Sequence, residues 1–162
     1  MQRVLVVGGA GYIGGATVDV LNKAGYTVRV YDNLLYEGEY RKAVDFAYGD
    51  VRDQGRIRPH LDWAEVVVWL AAIVGDGACA FNPKMAMVIN RNTVAWLSEN
   101  FDGRIIFMST CSVFGAQEGV LVENSPTDPL SVYAASKLEA EQFLMEKNAL
   151  IFRLGTIYGV GD

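Results

Sequence analysis

The segment Tyr133-Ala134-Ala135-Ser136-Lys137 places a phenol and a primary amine four residues apart. On a helix, side chains at this spacing lie on one face, one turn apart. A free tyrosine has a pKa of about 10 and is a poor base at neutral pH, but a nearby ammonium stabilises the phenolate. The spacing therefore indicates that Tyr133 exchanges a proton with a substrate hydroxyl. An ordinary surface pair on a helix has the same spacing.

A second pair of groups, Ser109-Thr110, directly follows the apolar run at residues 104–108, which predicts a strand. A hydroxyl at the carboxyl end of a strand can hydrogen-bond a substrate oxygen in an open α/β sheet. The alternative is a Ser/Thr turn at the strand end, satisfied by its own backbone.

Glycines follow the first apolar run in a pattern typical of a phosphate-binding turn. Gly8, Gly11 and Gly14 satisfy G-x-x-G-x-x-G, and Gly9 adds an overlapping G-x-G-x-x-G. Glycine permits the tight turn and lets the backbone approach a pyrophosphate, which the amides of a helix N-terminus then face.

Two acidic residues could hold the rest of a dinucleotide. Asp32 ends the second predicted strand, about 20 residues beyond the glycines, where a carboxylate can accept both ribose hydroxyls of NAD. The same carboxylate would repel a 2′-phosphate, and no arginine follows it, which favours NAD over NADP. Asp50-Val51 could hold the adenine. The alternatives are an Asp-Asn turn at Asp32 and a helix N-cap at Asp50.

Alternating strand and helix patterns predict the elements that position these groups. Strands are predicted over residues 3–7, 27–31, 46–48, 65–70, 104–108 and 149–154, and helices over 12–24, 82–99 and 131–147, with Gly25 ending the first helix. Strands joined by helical crossovers predict one α/β domain over residues 1–162. We expect a Rossmann-type, doubly wound parallel sheet of about six strands in three αβα layers. The loop at residues 116–130 is expected at the carboxyl ends of the strands.

Composition limits the partners of the chain. The net charge is −5 without a Lys/Arg cluster, which argues against nucleic acid and anionic membranes. The longest apolar run, at residues 66–73, is too short to cross a bilayer. Cys79 and Cys111 lack metal-ligand spacing and are interpreted as reduced thiols of a cytoplasmic protein, so no metal site is predicted. His60 lies outside every motif and is expected at the surface.

Taken together, these motifs resemble the extended short-chain dehydrogenases/reductases, the sugar-nucleotide epimerase and dehydratase group. The matching stretches occur in family order and cover essentially the whole chain: VLVVGGAGYIG (4–14), VYDNL (30–34), YGDVRD (48–53), WLAA (69–72), FMSTCSVFG (107–115), YAASK (133–137) and FRLGTIYGVGD (152–162).

The resemblance implies a role for each matching position. Thr110 and Tyr133 would be catalytic, with Lys137 catalytic and a ligand of the nicotinamide ribose. The cofactor-binding set would be Gly8, Gly11, Tyr12, Ile13, Gly14, Asp32, Asn33, Asp50, Val51, Leu70, Ala71, Ala72 and Asn90, together with Tyr133 and Lys137. The implied cofactor is NAD and the implied substrate a nucleotide sugar. A homodimer through the helices near 82–99 and 131–147 is also implied.

Three departures from the family pattern refine these expectations. Val7 replaces the usual threonine before the glycines, which removes a hydroxyl that orders the loop. Cys111-Ser112 stands where 4,6-dehydratases carry an Asp-Glu pair, which disfavours dehydration. Family members continue for a further substrate-binding domain, which is absent from this chain, so we expect weak NAD binding and poor turnover from the 162 residues alone.

The favoured interpretation is an NAD-dependent nucleotide-sugar epimerase, or a related oxidoreductase, acting by reversible hydride transfer at a sugar hydroxyl or keto carbon. One alternative is a dinucleotide-binding module without catalysis. Another is a net dehydrogenase or reductase that releases its reduced cofactor.

Overall fold

Six parallel strands form one sheet in the computed structural model, which describes residues 1–159. The order across the sheet is β3-β2-β1-β4-β5-β6. The strands are β1 Arg3–Val7, β2 Thr27–Asp32, β3 Asp45–Tyr48, β4 Val66–Trp69, β5 Arg104–Thr110 and β6 Ala149–Leu154. Because all six run in the same direction, their carboxyl ends meet at one edge, where ligands of such sheets bind.

Helices connect the parallel strands. They are α1 Tyr12–Lys23, α2 Gln54–Trp63, α3 Asp76–Phe81, α4 Pro83–Met87, α5 Thr93–Asn100 and α6 Val132–Leu144. A π-helical turn, Val88–Asn92, joins α4 to α5, and a 3₁₀ turn, Cys111–Phe114, follows β5. Side-chain caps begin several of them: Ser131 accepts from the amide of Ala134 at α6, and Asp53 from that of Arg56 at α2.

Buried side chains on the two faces of the sheet form separate cores. One face packs against α2, α5 and α6 through residues such as Ile57, Leu97 and Leu144. The other packs against α1 through Val18. Both cores form because successive side chains of a strand point to opposite faces of the sheet. In β1, Leu5 and Val7 face one core while Val4 and Val6 face the other. The predicted three-layer Rossmann-type fold is therefore confirmed.

Most predicted elements are present, with shifted ends. β2 ends at Asp32, as predicted for that residue, whereas β5 runs further than predicted, so that Ser109 and Thr110 end the strand instead of following it. The first, third and sixth strands lie within a residue of the prediction. The fourth strand is shorter than predicted, and α6 ends at Leu144 instead of at residue 147. Gly25 adopts φ +83° just after α1, as a helix stop requires. Residues 160–162, which end both the predicted domain and the last family-like stretch, lie outside the described residues.

Two helices were not predicted. α2 contains an internal proline, Pro59, and buries only Ile57 and Leu61, so its apolar stripe is short. α3 is only six residues long and begins with Asp-Gly. Neither sequence carries the extended 3.6-residue periodicity by which a helix is identified.

The predicted helix at residues 82–99 is one nearly continuous helix interrupted by the π-turn. Asn90 lies in that turn, is 1% exposed and bonds both backbone groups of Ile73: it accepts from the amide at 2.8 Å and donates to the carbonyl at 2.9 Å. Its amide also donates to Ser136 Oγ at 3.1 Å. One asparagine thus ties the segment after β4 to helix α6.

Within residues 1–159, none of the helices is both long and apolar enough to cross a membrane.

The hydrogen bonds of Asn90 lead to a stability prediction. We expect Asn90→Ala to lower the free energy of unfolding by about 1–3 kcal/mol, because both backbone groups of Ile73 lose their partner. Asn92→Ala is the matched control: Asn92 is exposed and its side chain accepts from Arg91, so we expect a change within about 0.5 kcal/mol. Urea unfolding monitored by circular dichroism measures both. Equal effects of the two substitutions would contradict the assigned role of Asn90.

Candidate active site

The glycine turn between β1 and α1 is shaped by close backbone contacts. Gly8 has φ +85°, and a Cβ there would lie 2.5 Å from the amide nitrogen of Ala71. A Cβ at Gly14 would lie 2.4 Å from the carbonyl oxygen of Gly8. Both glycines are therefore required by the packing of the turn itself.

Gly11 is different, because the protein does not need a glycine there. Its φ of −74° suits any residue, and a Cβ would meet only the carbonyl oxygen of Gly8, at 3.5 Å. Gly11 is exposed and is the N-cap of α1, so free amides of the first helical turn lie beside open space. A group that approaches the backbone closely, such as a pyrophosphate, explains why the side chain is absent. The residues at this turn therefore fit the NAD implied by the sequence.

Asp32 joins the glycine turn to the loop after β2. Its Oδ2 accepts from the amide of Ala10 at 3.0 Å and its Oδ1 from that of Leu34 at 2.7 Å. The second bond is the Asp-Asn turn that was the alternative interpretation of this residue. The turn is compatible with the predicted contact between Asp32 and the adenosine ribose, because each carboxylate oxygen can accept a further hydrogen bond.

Asp50 is held by the guanidinium of Arg52, which donates from Nε at 2.9 Å and from Nη2 at 2.6 Å. These bonds lower the pKa of Asp50, against the effect of partial burial. Asp50 is not a helix cap, since Asp53 caps α2. Its carbonyl accepts from the phenol of Tyr31 at 3.1 Å, and burial raises the pKa of that phenol to about 12.

The hydroxyl of Thr110, the phenol of Tyr133 and the amine of Lys137 face the same cleft. Thr110 ends β5, and its Oγ1 accepts from the amide of Ser112 at 3.1 Å. Tyr133 and Lys137 lie one turn apart on α6. The Lys137 side chain is 3% exposed, with its Nζ 4.0 Å from the centre of the Phe107 ring.

Burial perturbs both titrating groups. Desolvation raises the pKa of Tyr133, and a hydrogen bond with Thr110 opposes that rise. Desolvation lowers the pKa of Lys137 to about 7, while the charge of Glu141 opposes it. The expectation that Lys137 brings the pKa of Tyr133 down is therefore not met in the protein alone, where the dominant influence on both groups is loss of water.

One cleft of about 600 Å³ at the carboxyl ends of the strands brings nearly all the predicted site residues together. Its lining includes Gly8, Gly11, Tyr12, Ile13, Gly14, Asp32, Asn33, Asp50, Val51, Leu70, Ala71, Ala72, Thr110, Tyr133 and Lys137. Asn90 is the exception, because it is buried beneath the wall with its side chain engaged by Ile73 and Ser136. Its geometry gives it a positioning role in place of the expected cofactor contact.

Other cleft residues were not among the predicted site residues. Most lie at or just beyond strand ends, and they include Leu34 to Glu37, Ile73, Val74, Cys111, Ser112 and Leu154 to Ile157. The general rule that such sheets bind ligands at the carboxyl ends of their strands could have identified them. Glu141 was also missed, although it stands four residues after Lys137 in a helix and so shares its face.

Two minor expectations have mixed outcomes. His60 is only partly exposed: its ring lies 5.3 Å from that of Tyr31, and burial lowers its pKa. Both cysteines are free thiols, Cys79 buried and Cys111 exposed. Among the described residues, no cluster of three or more His, Cys, Asp or Glu side chains could hold a metal ion.

The glycine turn leads to a binding prediction. We expect Gly11→Ala to fold normally but to bind NAD about tenfold more weakly or worse, because the methyl group occupies the space left for the pyrophosphate. Gly14→Ala is the contrasting variant and should lose stability by about 1–3 kcal/mol, since its Cβ collides with the turn. Calorimetric titration with NAD and thermal unfolding measure the two effects. Unchanged NAD affinity in Gly11→Ala would refute the pyrophosphate assignment.

Lys137 leads to a stability prediction. We expect Lys137→Met to raise the free energy of unfolding at pH 7 by roughly 1–4 kcal/mol, because a buried cation is replaced by an apolar chain of similar size. The pKa of Lys137 is about 7 in the folded chain and about 10.5 in the unfolded chain, so the unfolded state binds more protons between these values. The free-energy cost of burying Lys137 therefore becomes smaller as the pH rises from 7 towards 10.5.

Urea unfolding at pH 7 and pH 9 tests this stability difference, with Lys147→Met at an exposed position as control. The advantage of Lys137→Met over the unchanged chain should be smaller at pH 9. A destabilised Lys137→Met protein would contradict this account of Lys137 burial.

The chain also matches known proteins over most of its length. The family model for the NAD dependent epimerase/dehydratase family matches residues 4–162. A UDP-glucose 4-epimerase of Streptomyces lividans is 32% identical over 153 residues, covering 88% of this chain and 46% of that protein. The chain thus spans about half the length of the curated relatives it matches.

Solved structures agree with this match. UDP-glucose 4-epimerase from Brucella ovis, in complex with NAD, superposes with a TM-score of 0.85 at 28% identity, covering 96% of this chain and 51% of that one. UDP-glucuronic acid 4-epimerase from Bacillus cereus, in complex with UDP-glucuronic acid and NAD, gives a TM-score of 0.81 at 26% identity, covering 94% and 56%. The predicted cofactor, NAD, is thereby confirmed for the family. With its sheet order, its glycine turn and a family match over residues 4–162, this chain belongs to the NAD-dependent epimerase/dehydratase family.

Proposed function

We propose that this chain binds NAD in the cleft at the carboxyl ends of its strands and contributes the acid–base groups for reversible oxidation of a nucleotide sugar. The observation that carries the proposal is the convergence of Thr110, Tyr133 and Lys137 in the same cleft as the glycine turn. A protein that only bound the dinucleotide would have no need of a half-buried phenol next to a strand-end hydroxyl.

The cofactor would be held by the residues that fit it. The amides of the first turn of α1 would face its pyrophosphate, Asp32 would accept from its adenosine ribose, and Lys137 would donate to its nicotinamide ribose. Asp50 and Val51, which line the same cleft, would hold the adenine. When bound, NAD accepts a hydride from a carbon that bears a hydroxyl group.

The chain itself supplies proton transfer and orientation. Thr110 hydrogen-bonds the substrate oxygen, and Tyr133 as phenolate takes the proton of that hydroxyl while the carbon loses hydride. In the reverse direction Tyr133 returns the proton to the oxygen. Because burial raises the pKa of Tyr133, we expect the oxidation rate to rise with pH as the phenolate forms.

Epimerisation is the favoured outcome, because the relatives named above are 4-epimerases and because this site lacks the groups for dehydration. Cys111 and Ser112 line the cleft where a dehydratase needs an acid and a base. Cys111 is an exposed thiol, and Ser112 is used to hold the Thr110 hydroxyl at 3.1 Å. By analogy with the Bacillus cereus and Streptomyces lividans enzymes, we propose a UDP-sugar as substrate.

A homodimer through the helices near 82–99 and 131–147 is a further proposal. At the end of α6, Leu144 packs in the core on the sheet and Phe143 is half-buried, whereas Met145, just after the helix, is 76% exposed.

Substitution of Tyr133 tests the proposed chemistry. We expect Tyr133→Phe to lower turnover of UDP-glucose by about 10²–10⁴-fold, because the group that moves the proton is lost, while NAD affinity stays within about threefold. Proton NMR of the sugar at C4 measures epimerisation, and NADH absorbance separates net oxidation from it. Tyr26→Phe, at a partly exposed tyrosine outside the cleft, is the control. Full turnover by Tyr133→Phe would remove Tyr133 from the mechanism.

A further inference from the structure

A buried carboxylate stands directly behind the catalytic lysine. Glu141 lies one helical turn after Lys137 on α6 and is 4% exposed. The mechanism proposed above gives it no task. A carboxylate so far from water is costly unless it is paired, so its partners decide what it does.

The partners of Glu141 come from two strands. The hydroxyl of Ser109, at the end of β5, donates to its Oε1. The guanidinium of Arg153, in β6, donates from Nη2 to Oε2 at 2.7 Å and from Nε to both oxygens at 3.1 and 3.2 Å. Glu141 is therefore fully engaged, and its hydrogen bonds join α6, which also carries Lys137, to the strand that carries Thr110.

Lys137 needs such a neighbour. Its ammonium is enclosed against the Phe107 ring, and a lysine without a nearby negative charge would lose its proton there. The charge of Glu141 acts on Lys137 in the direction that keeps the proton bound.

The other titratable groups packed around α6 are engaged elsewhere. The pKa of Tyr133 is raised by the charges of three of them: Asp76 and Cys79 of α3, and Cys111 of the 3₁₀ turn. Arg91 of the π-turn pairs with Glu139 on the outer side of α6. Arg153 faces Glu141 from β6 and so competes with Lys137 for its charge.

We propose that Glu141 is a positioning residue, which keeps Lys137 protonated and directed into the cleft and fixes it relative to Ser109-Thr110. The proposal rests on the proposed function of Lys137 as a ligand of the cofactor ribose. A purely structural role is the competing explanation, because Arg153 also donates to the carbonyl of Glu123 at 3.0 Å and so ties the loop at residues 116–130 to the same ion pair.

Titration of the Lys137 amine separates the two explanations. Lysine labelled with ¹³C at Cε reports protonation by NMR in the 162-residue chain without cofactor, and Lys137→Met assigns the resonance. In Glu141→Gln, which keeps the hydrogen-bonding shape, the midpoint of Lys137 should move about one pH unit lower or more. In Arg153→Gln it should move upward, because Glu141 then has Lys137 as its remaining cationic partner. A structural role predicts no such opposite movements.

Matched variants complete the design. Glu139→Gln removes a carboxylate from the same helix that pairs with Arg91, and should leave the Lys137 midpoint unchanged. Glu141→Asp keeps the charge and should restore the midpoint to within about half a pH unit of the unchanged chain. If Glu141→Gln does not fold, Arg153→Gln and Glu141→Asp still give the test. An unmoved midpoint in Glu141→Gln, or a downward movement in Arg153→Gln, would overturn the proposal.

A second measurement distinguishes failure of this inference from failure of the proposed function. At pH 7.5 Glu141→Gln should bind NAD about five- to tenfold more weakly than the unchanged chain, and lowering the pH to 6 should recover most of the loss. Unchanged binding by Glu141→Gln overturns the role of Glu141. Absence of NAD binding by the unchanged chain overturns the proposed function, whatever the Lys137 titration gives.

Discussion

The contact between the glycine turn and the end of β4 determines where everything else in the site lies. The amides of Leu70 and Ala71 both donate to the carbonyl of Val7, and the amide of Gly8 donates to that of Tyr31. At Gly8 the backbone passes so close to Ala71 that no side chain fits. The last residues of β1, β2 and β4 are therefore fixed to one another, and the cleft can open only beyond them.

This constraint explains why the binding groups can be scattered along the chain. Asp32 ends β2 and reaches the turn through the amide of Ala10, so the ribose acid and the phosphate cradle move as one unit. Asp50 is positioned by Tyr31, whose phenol crosses below Gly49 so closely that a Cβ there would lie 2.1 Å from its oxygen. Asp32 is thus placed by backbone amides at the strand ends, and the backbone of Asp50 by a buried side chain of β2.

The sequence predicted this half of the site well, because its signals are local. A glycine turn, an acid at a strand end and a Tyr-x-x-x-Lys spacing can each be identified within a few residues. Tertiary effects could not be identified in the same way. Asn90 shows the limit: the family resemblance implied a cofactor contact for it, but only the fold brings Ile73 and Ser136 to its amide. The perturbed titration of Lys137 likewise depends on Phe107, 30 residues away in the chain.

The catalytic end of the cleft carries two opposed requirements. Removing water strengthens the hydrogen bonds that orient a substrate, but the same removal favours the neutral forms of both Tyr133 and Lys137. A neutral lysine would no longer stabilise a phenolate. NAD, when bound, would supply positive charge near the phenol, and Glu141 supplies negative charge behind the lysine. Because that positive charge arrives only with the cofactor, whereas Glu141 belongs to the fold, the amine can be charged before NAD binds and the phenol need ionise only afterwards. That order would keep the unliganded site from holding a reactive phenolate in an open cleft.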